Sequence, residues 1–215
     1  VNFIWHGGEP LLMGKEFYQQ VLYLENLYNT NGCIITNSFQ SNLTLLTEEL
    51  ADFFVSNGFT FGTSYDGFEN EKTRHSSKQI LKGREILRRL NSKCGCIMVI
   101  SSANINTLIA SYQFFNENNI DYKMNTYIKT DDTDVSRMLQ LDEREYVDKV
   151  LELYDYWLRD INCKIAVNPL MNIIKYILFK KTFSCSQKSC LGKWLGIRSN
   201  GTITNCNRFF FPQYE

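Results

Sequence analysis

The stretch FIWHGGEPLLMGKEF, residues 3–17, passes from a β-prone run to a helix-forming one through two glycines, one carboxylate and a proline. Proline has no N–H to offer a ladder, and glycine accepts backbone conformations that other residues avoid, so a strand ends here and the chain turns. Glu9 is left at the C-terminal end of that strand, the edge on which parallel α/β folds build their sites. Gly7 and Gly8 would let a ligand come close to the backbone, and Glu9 beside bare carbonyls would suit an ammonium group. A plain strand-to-helix turn with Glu9 in solvent accounts for the same residues.

Outward from this stretch, strand and helix signals alternate. Residues 1–6 read as a buried strand, 14–28 as a helix, 33–37 as a strand, and 47–57 as a helix capped by Thr47 with Glu48 and Glu49 in its first turn. Strands are expected at 59–65, 94–101 and 122–128, and helices at 77–90 and 106–118. A β/α unit recurring about every 30 residues is the spacing of right-handed parallel crossovers. It predicts an α/β fold with a parallel sheet, closed as a barrel or open. The polar run KTDDTD then breaks the beat, and helices are expected at 142–159 and 168–181. From Cys185 the texture turns to cysteine, glycine and aromatic residues, with Ser199-Asn200-Gly201 as a hairpin-turn signal. Val1 already lies in a strand-like run, which predicts that the natural chain starts upstream.

With 44% apolar and 21% charged residues, the composition is that of a globular protein. Twenty-three basic residues balance 23 acidic ones with no long run of either sign, which argues against nucleic acid and membrane surfaces as partners. The apolar helix around residues 173–179 is broken by Lys175 and closed by Lys180 and Lys181, well short of a membrane span. Seven unevenly spaced cysteines fit a cytoplasmic chain better than a secreted disulfide scaffold. Three of them form Cys185-x4-Cys190-x10-Gly201-x4-Cys206. Thiolates are the usual ligands of iron–sulfur clusters, and Gly201 lets a returning hairpin bring Cys206 near the other two. A zinc knot would use the same residues. Cys33, Cys94, Cys96 and Cys163 read as small buried hydrophobes, His6 as a packed residue near the strand end, and the aromatic run at 208–214 as packing under the hairpin.

WHGGEPLL, residues 5–12, resembles the GGEP motif of radical S-adenosylmethionine (AdoMet) enzymes that carry a cysteine-rich SPASM domain. In the same order, NSFQSNLTLLTEE (37–49) resembles the family's strand-3 segment, and GTSYDGFENEKTRH (62–75) its Ser-x-Asp-Gly segment with the arginine that follows. The set covers essentially the whole chain. The resemblance implies a partial (β/α)6 TIM-like barrel lacking its first strand, over residues 1–130, then a helical linker region at 131–184 and the beginning of a SPASM module at 185–215. By the same resemblance Gly7, Gly8 and Glu9 would receive the methionine ammonium of AdoMet, while Asn42, Ser64, Asp66 and Arg74 would contact its ribose or carboxylate. Read from the residues alone, Ser64 and Asp66 serve equally as turn residues and Arg74 as a surface salt bridge. Cys185, Cys190 and Cys206 would be ligands of an auxiliary [4Fe-4S] cluster.

Three departures bear on the expected function. The family's catalytic-cluster motif, Cys-x3-Cys-x2-Cys, is absent from the 215 residues, so the chain is expected to be an internal piece that does not cleave AdoMet alone. Leu43 stands where the strand-3 segment has glycine, and is expected to alter the local turn. Asn207 follows Cys206 where sulfatase-maturating relatives have an aspartate, and an asparagine cannot act as a base. The resemblance therefore implies, for the parent protein, modification of a ribosomal peptide or protein through a 5′-deoxyadenosyl radical, giving a thioether or carbon–carbon crosslink. Anaerobic sulfatase maturation is the runner-up, and a noncatalytic peptide-binding remnant the third reading. Expected partners are a peptide or protein substrate and a reductant such as a flavodoxin or ferredoxin. No catalytic base is assigned.

Overall fold

Side chains alternate in character along each central segment, and that alternation sets the sheet. The computed structural model describes residues 1–129, 133–181 and 194–205. Six strands, β1 (Asn2–Trp5), β2 (Thr36–Ser41), β3 (Thr60–Ser64), β4 (Cys94–Ile100), β5 (Tyr122–Thr126) and β6 (Val167–Asn168), lie side by side in chain order. All neighbouring pairs are parallel. The connections carry α1 (Gly14–Tyr28), α2 (Glu48–Ser56), α3 (Asn70–Thr73), α4 (Ser77–Arg89), α5 (Leu108–Glu117), α6 (Asp134–Met138) and α7 (Glu143–Arg159), with α8 (Leu170–Phe179) after β6. This is the partial TIM-like barrel expected of the sequence. Two further short strands, β7 (Gly196–Ile197) and β8 (Ile203–Thr204), pair antiparallel around Gly201, whose φ of +82° suits the turn predicted there.

One face of the sheet is the core. Phe39 and Phe61 on β2 and β3 pack with Leu11, Tyr18, Phe54 and Phe59, and Met98, Ile100, Tyr122 and Met124 on β4 and β5 pack with Tyr112, Phe115 and Trp157. Tyr18 meets Phe39 edge-on with ring centroids 4.9 Å apart, and Phe39 meets Phe54 at 4.7 Å. Such pairs each contribute roughly 0.5–1.5 kcal/mol beyond area burial. The alternate residues Ser38, Gln40, Gly62, Ser64, Ile97, Val99 and Asn125 are half-buried on the opposite face. There Gln40 stands opposite Gly62, Ser64 opposite Ile97, and Val99 opposite Asn125.

The helices start where their caps are. Thr47 Oγ1 accepts from Leu50 N at 3.2 Å to open α2, and Asp142 accepts from Arg144 N and Glu145 N at 2.9 and 3.0 Å to open α7. Three elements depart from the sequence reading. β1 is a strand, but an exposed one, because it has β2 as its neighbour on one side only; Ile4 is 45% exposed. β2 begins at Thr36 rather than Cys33: Asn29 takes up both the N–H and the C=O of Cys33 at 2.8 Å, which keeps that residue out of the ladder. Cys33 is accordingly exposed, unlike the buried Cys94 and Cys96. α8 begins at Leu170 because Val167 and Asn168 pair with Tyr122 and Lys123, so the sheet extends into the stretch read as a helical linker. Among the described residues no helix is long and apolar enough to cross a membrane.

Candidate functional site

The C-terminal ends of β1, β2 and β3 bring the predicted residues together at one rim. After Trp5 the chain passes through His6, Gly7 and Gly8, all exposed. Gly7 and Gly8 have φ of +91° and +55°, a region that favours glycine, and a Cβ built on either would meet nothing within 4 Å. The backbone here faces open space. Glu9 follows, half-buried, and caps a 3-10 turn at Pro10–Met13 by accepting from Leu11 N at 3.1 Å. Tyr18 on α1 donates its hydroxyl to Pro10 O at 2.9 Å, which fixes this turn to the helix behind it. Burial, and after it the Glu9 charge, pushes the Tyr18 phenol far above its ordinary range, so it is a donor throughout.

The Glu9 carboxylate joins β1 to β2. Ser41 Oγ donates to Oε1 at 2.6 Å, and Asn42 N donates to Oε2 at 2.8 Å. Ser41 Oγ in turn accepts from Leu43 N at 2.9 Å, and Asn42 Oδ1 accepts from Thr44 N and Thr44 Oγ1 at 2.9 and 2.7 Å. Among the described residues no lysine or arginine pairs with Glu9. Leu43 was expected to alter the turn by standing in place of glycine. In this structure Leu43 takes the left-handed backbone, at φ +58°, with its side chain buried. For an L-residue this conformation costs roughly 1–2 kcal/mol, which the burial of a leucine side chain, worth about 1.5–3 kcal/mol, offsets.

The next gap is bridged by a second carboxylate. Asp66, just past β3 and 4% exposed, accepts from Val99 N on β4 at 2.9 Å, and its other oxygen lies 2.9 Å from Arg74 Nε. Asn70 Oδ1 accepts from Asp66 N at 2.8 Å, closing the loop on itself. Asp66 and Arg74 are therefore paired with each other. Ser64 ends β3 on the half-buried face, where Gln40 Nε2 donates to its Oγ at 3.1 Å. Gly62 makes room for that contact, since a Cβ there would lie 2.7 Å from Gln40 Oε1. Gln40 is thus a rim-facing residue that the site reading had passed over; its place opposite a strand glycine was the available signal.

Gly7, Gly8, Glu9, Asn42, Ser64, Asp66 and Arg74 all lie along this edge. Cys185, Cys190 and Cys206 lie outside the described residues, as does Asn207. Of the other cysteines, Cys94 and Cys96 sit on the core face of β4, where Arg84 Nη1 donates to Cys94 O and lies 3.5 Å from Cys96 Sγ. Burial pushes their thiols up to about 11 and about 12, against the opposing pull of Arg84. They are inert packing groups at neutral pH. An apolar groove of about 480 Å³ runs between β1 and α1, lined by residues such as Phe3, Trp5, Leu24 and Tyr28, and does not include Glu9.

No protein-family model matches the chain. Over its whole length it is similar to the cysteine-type anaerobic sulfatase-maturating enzyme of Clostridium novyi (strain NT), with 23% identity over 228 residues and 60% of that protein covered. The serine-type anaerobic sulfatase-maturating enzyme of Bacteroides thetaiotaomicron is 23% identical over 245 residues, with 58% of it covered. The chain thus spans about three fifths of the length of these relatives. Among solved structures, native anSMEcpe with bound AdoMet and Cp18Cys peptide superposes with a TM-score of 0.83 at 22% identity, over 96% of this chain and 60% of that one. Streptococcus suis SuiB bound to S-adenosylmethionine gives 0.64 at 19% identity, over 97% and 49%. The relatives are those the motif set pointed to, and the shared fold is the partial barrel.

Proposed function

We propose that this chain is the AdoMet-binding core of an enzyme that modifies a peptide or protein substrate by radical chemistry. The observation that carries the proposal is Glu9, a half-buried carboxylate whose hydrogen bonds come from neutral donors and which no cation neutralises among the described residues. Removing a charge from water without a counter-charge is costly, so such a group favours a cationic ligand. The ammonium of AdoMet is one, and the open backbone at Gly7 and Gly8 leaves its approach unobstructed. Ser64 and Asn42 would meet the ribose or carboxylate. Arg74, its Nε turned to Asp66, would offer its remaining guanidinium N–H groups to the carboxylate.

AdoMet held at Gly7, Gly8 and Glu9, with an iron–sulfur cluster as electron source, would supply the radical chemistry that removes a substrate hydrogen. This chain's part is to bind and orient. Gln40 and Asn125, on the half-buried face, would line the substrate's approach. Cys185, Cys190 and Cys206 would hold an auxiliary [4Fe-4S] cluster, on the strength of their spacing and of the hairpin at Gly201. Cysteines beyond these 215 residues would hold the catalytic one.

For the substrate, Asn207 favours crosslinking of a ribosomal peptide, because the base used in sulfatase maturation is replaced. Sulfatase maturation has its own support in the relatives that match the whole chain. The two part in one experiment: anaerobic incubation of the full-length protein with AdoMet, a reductant and each class of peptide, read by mass spectrometry. Crosslinking removes a pair of hydrogens and joins two residues, whereas formylglycine is an aldehyde that hydrazines trap. A product of neither kind with either peptide would remove both readings.

A further inference from the structure

We infer that Gly83, on α4 behind the sheet, sets the position of the Glu9 carboxylate by way of Leu43, and so acts as a positioning residue for the ligand held at the rim. Gly83 lies within α4 with no left-handed φ, so the backbone there does not require glycine. Its reason is contact: a Cβ at Gly83 would stand 2.8 Å from Leu43 Cβ and 3.0 Å from Leu43 O. The helix axis therefore rests directly on the turn after β2. Leu43, 1% exposed and left-handed at φ +58°, belongs to the core group that joins Ile86 and Leu87 of that helix to Phe39, Leu46 and Ala51. A glycine inside a helix and a leucine in a glycine-like turn are each unfavourable alone. Together they are one fitted contact.

The contact reaches the carboxylate through a short relay. Leu43 N donates to Ser41 Oγ at 2.9 Å, Ser41 Oγ donates to Glu9 Oε1 at 2.6 Å, and Asn42 N donates to Glu9 Oε2 at 2.8 Å. Two of the three donors on Glu9 therefore sit on the residue next to Leu43 and the residue before that, the third being Leu11 N. A shift of the Leu43 backbone moves them both. A close-packed interior passes such a shift on rather than absorbing it.

What the carboxylate holds rests on the AdoMet reading; how it is aimed does not. The test accordingly has two readouts on the full-length protein: AdoMet affinity by calorimetry, and hydrogen exchange at the Asn42 amide, which needs no ligand. A misplacement of about 1 Å can cost around a hundredfold in a positioned site, so Gly83→Ala is expected to weaken AdoMet binding about tenfold. The same variant should speed Asn42 exchange. Leu43→Gly placed in the Gly83→Ala background removes the closer contact, at Leu43 Cβ, leaves only the 3.0 Å approach to the main-chain oxygen and accepts φ +58° freely, so it should restore most of both readouts even as it lowers resistance to urea. A merely structural contact would move affinity and stability together.

Wild-type affinity and exchange in Gly83→Ala would overturn the inference, as would a loss that Leu43→Gly does not repair. If Gly83→Ala alone does not fold, a folded double variant with wild-type Asn42 exchange carries the inference, and failure of the double variant overturns it. If the wild-type protein does not bind AdoMet, or Glu9→Gln binds it equally well, the AdoMet reading falls and the exchange readout still decides the positioning.

Discussion

Two carboxylates stand at the same rim and do the same mechanical work, yet they differ in charge balance. Glu9 ties the end of β1 to the amide of Asn42 after β2, and Asp66 ties the end of β3 to the amide of Val99 in β4. Asp66 is the more deeply buried and has Arg74 at 2.9 Å. Glu9 is bonded by a hydroxyl and two amides, with no arginine or lysine among the described residues. Asp66 is already neutralised by a cation, whereas Glu9 is aimed but not neutralised, and it is the latter that the proposed AdoMet ammonium would meet. The difference sorts two residues that sequence motifs alone place in one class.

The comparison can be broken most forcefully at Asp66. Asp66→Ala strands Arg74, whose side chain is 28% exposed, and leaves Val99 N without its acceptor, so denaturant unfolding should show a loss of about 3 kcal/mol. A variant as stable as wild type but unable to bind AdoMet would reverse the roles assigned here. Glu9→Gln keeps an acceptor for Ser41 and loses the charge. AdoMet affinity should fall about thirtyfold, near 2 kcal/mol, while stability changes by about 1 kcal/mol or less; the reverse pattern in calorimetry and urea melts would make Glu9 a plain brace.

Smaller effects sharpen the contrast. Tyr18→Phe removes only the bond to Pro10 O, so about 1 kcal/mol of stability should go, with AdoMet affinity following only if the turn itself moves. The least is expected of the β4 thiols. At pH 8 iodoacetamide should label exposed Cys33 and spare Cys94 and Cys96, as peptide mass mapping would read. Burial raises both folded values above the unfolded thiol near 8.5, so their contribution to stability is complete below about pH 8.5. It is lost as pH climbs from there toward 11 and 12. Rapid labelling of Cys96 at pH 8 would mean that the β4 side of the sheet is open.

Much of this was legible in the sequence because the β/α beat is local. Helix α2 announced itself through Thr47 and its acidic first turn, and β4 through the buried alternation of Cys94, Cys96, Met98 and Ile100. β6 was not legible, since a two-residue strand carries no period and exists only through pairing with β5. The start of β2 was misplaced because Asn29, outside the strand, occupies the Cys33 backbone. The rim residues were found as motifs, but motif spacing gave no sign that Asp66 would turn to Arg74. The consequence of Leu43 was missed for a like reason: the residue that accommodates it, Gly83, lies in α4, well beyond the local stretch.

That accommodation leaves a mark beyond this one molecule. With glycine at position 43 the closest contact on Gly83, that with Leu43 Cβ, is gone and alanine, a better helix former, fits more easily there; with leucine at 43 the side chain holds position 83 to glycine. The two positions should therefore covary, and the less costly order of substitution is the one in which the turn sheds its side chain before the helix gains one.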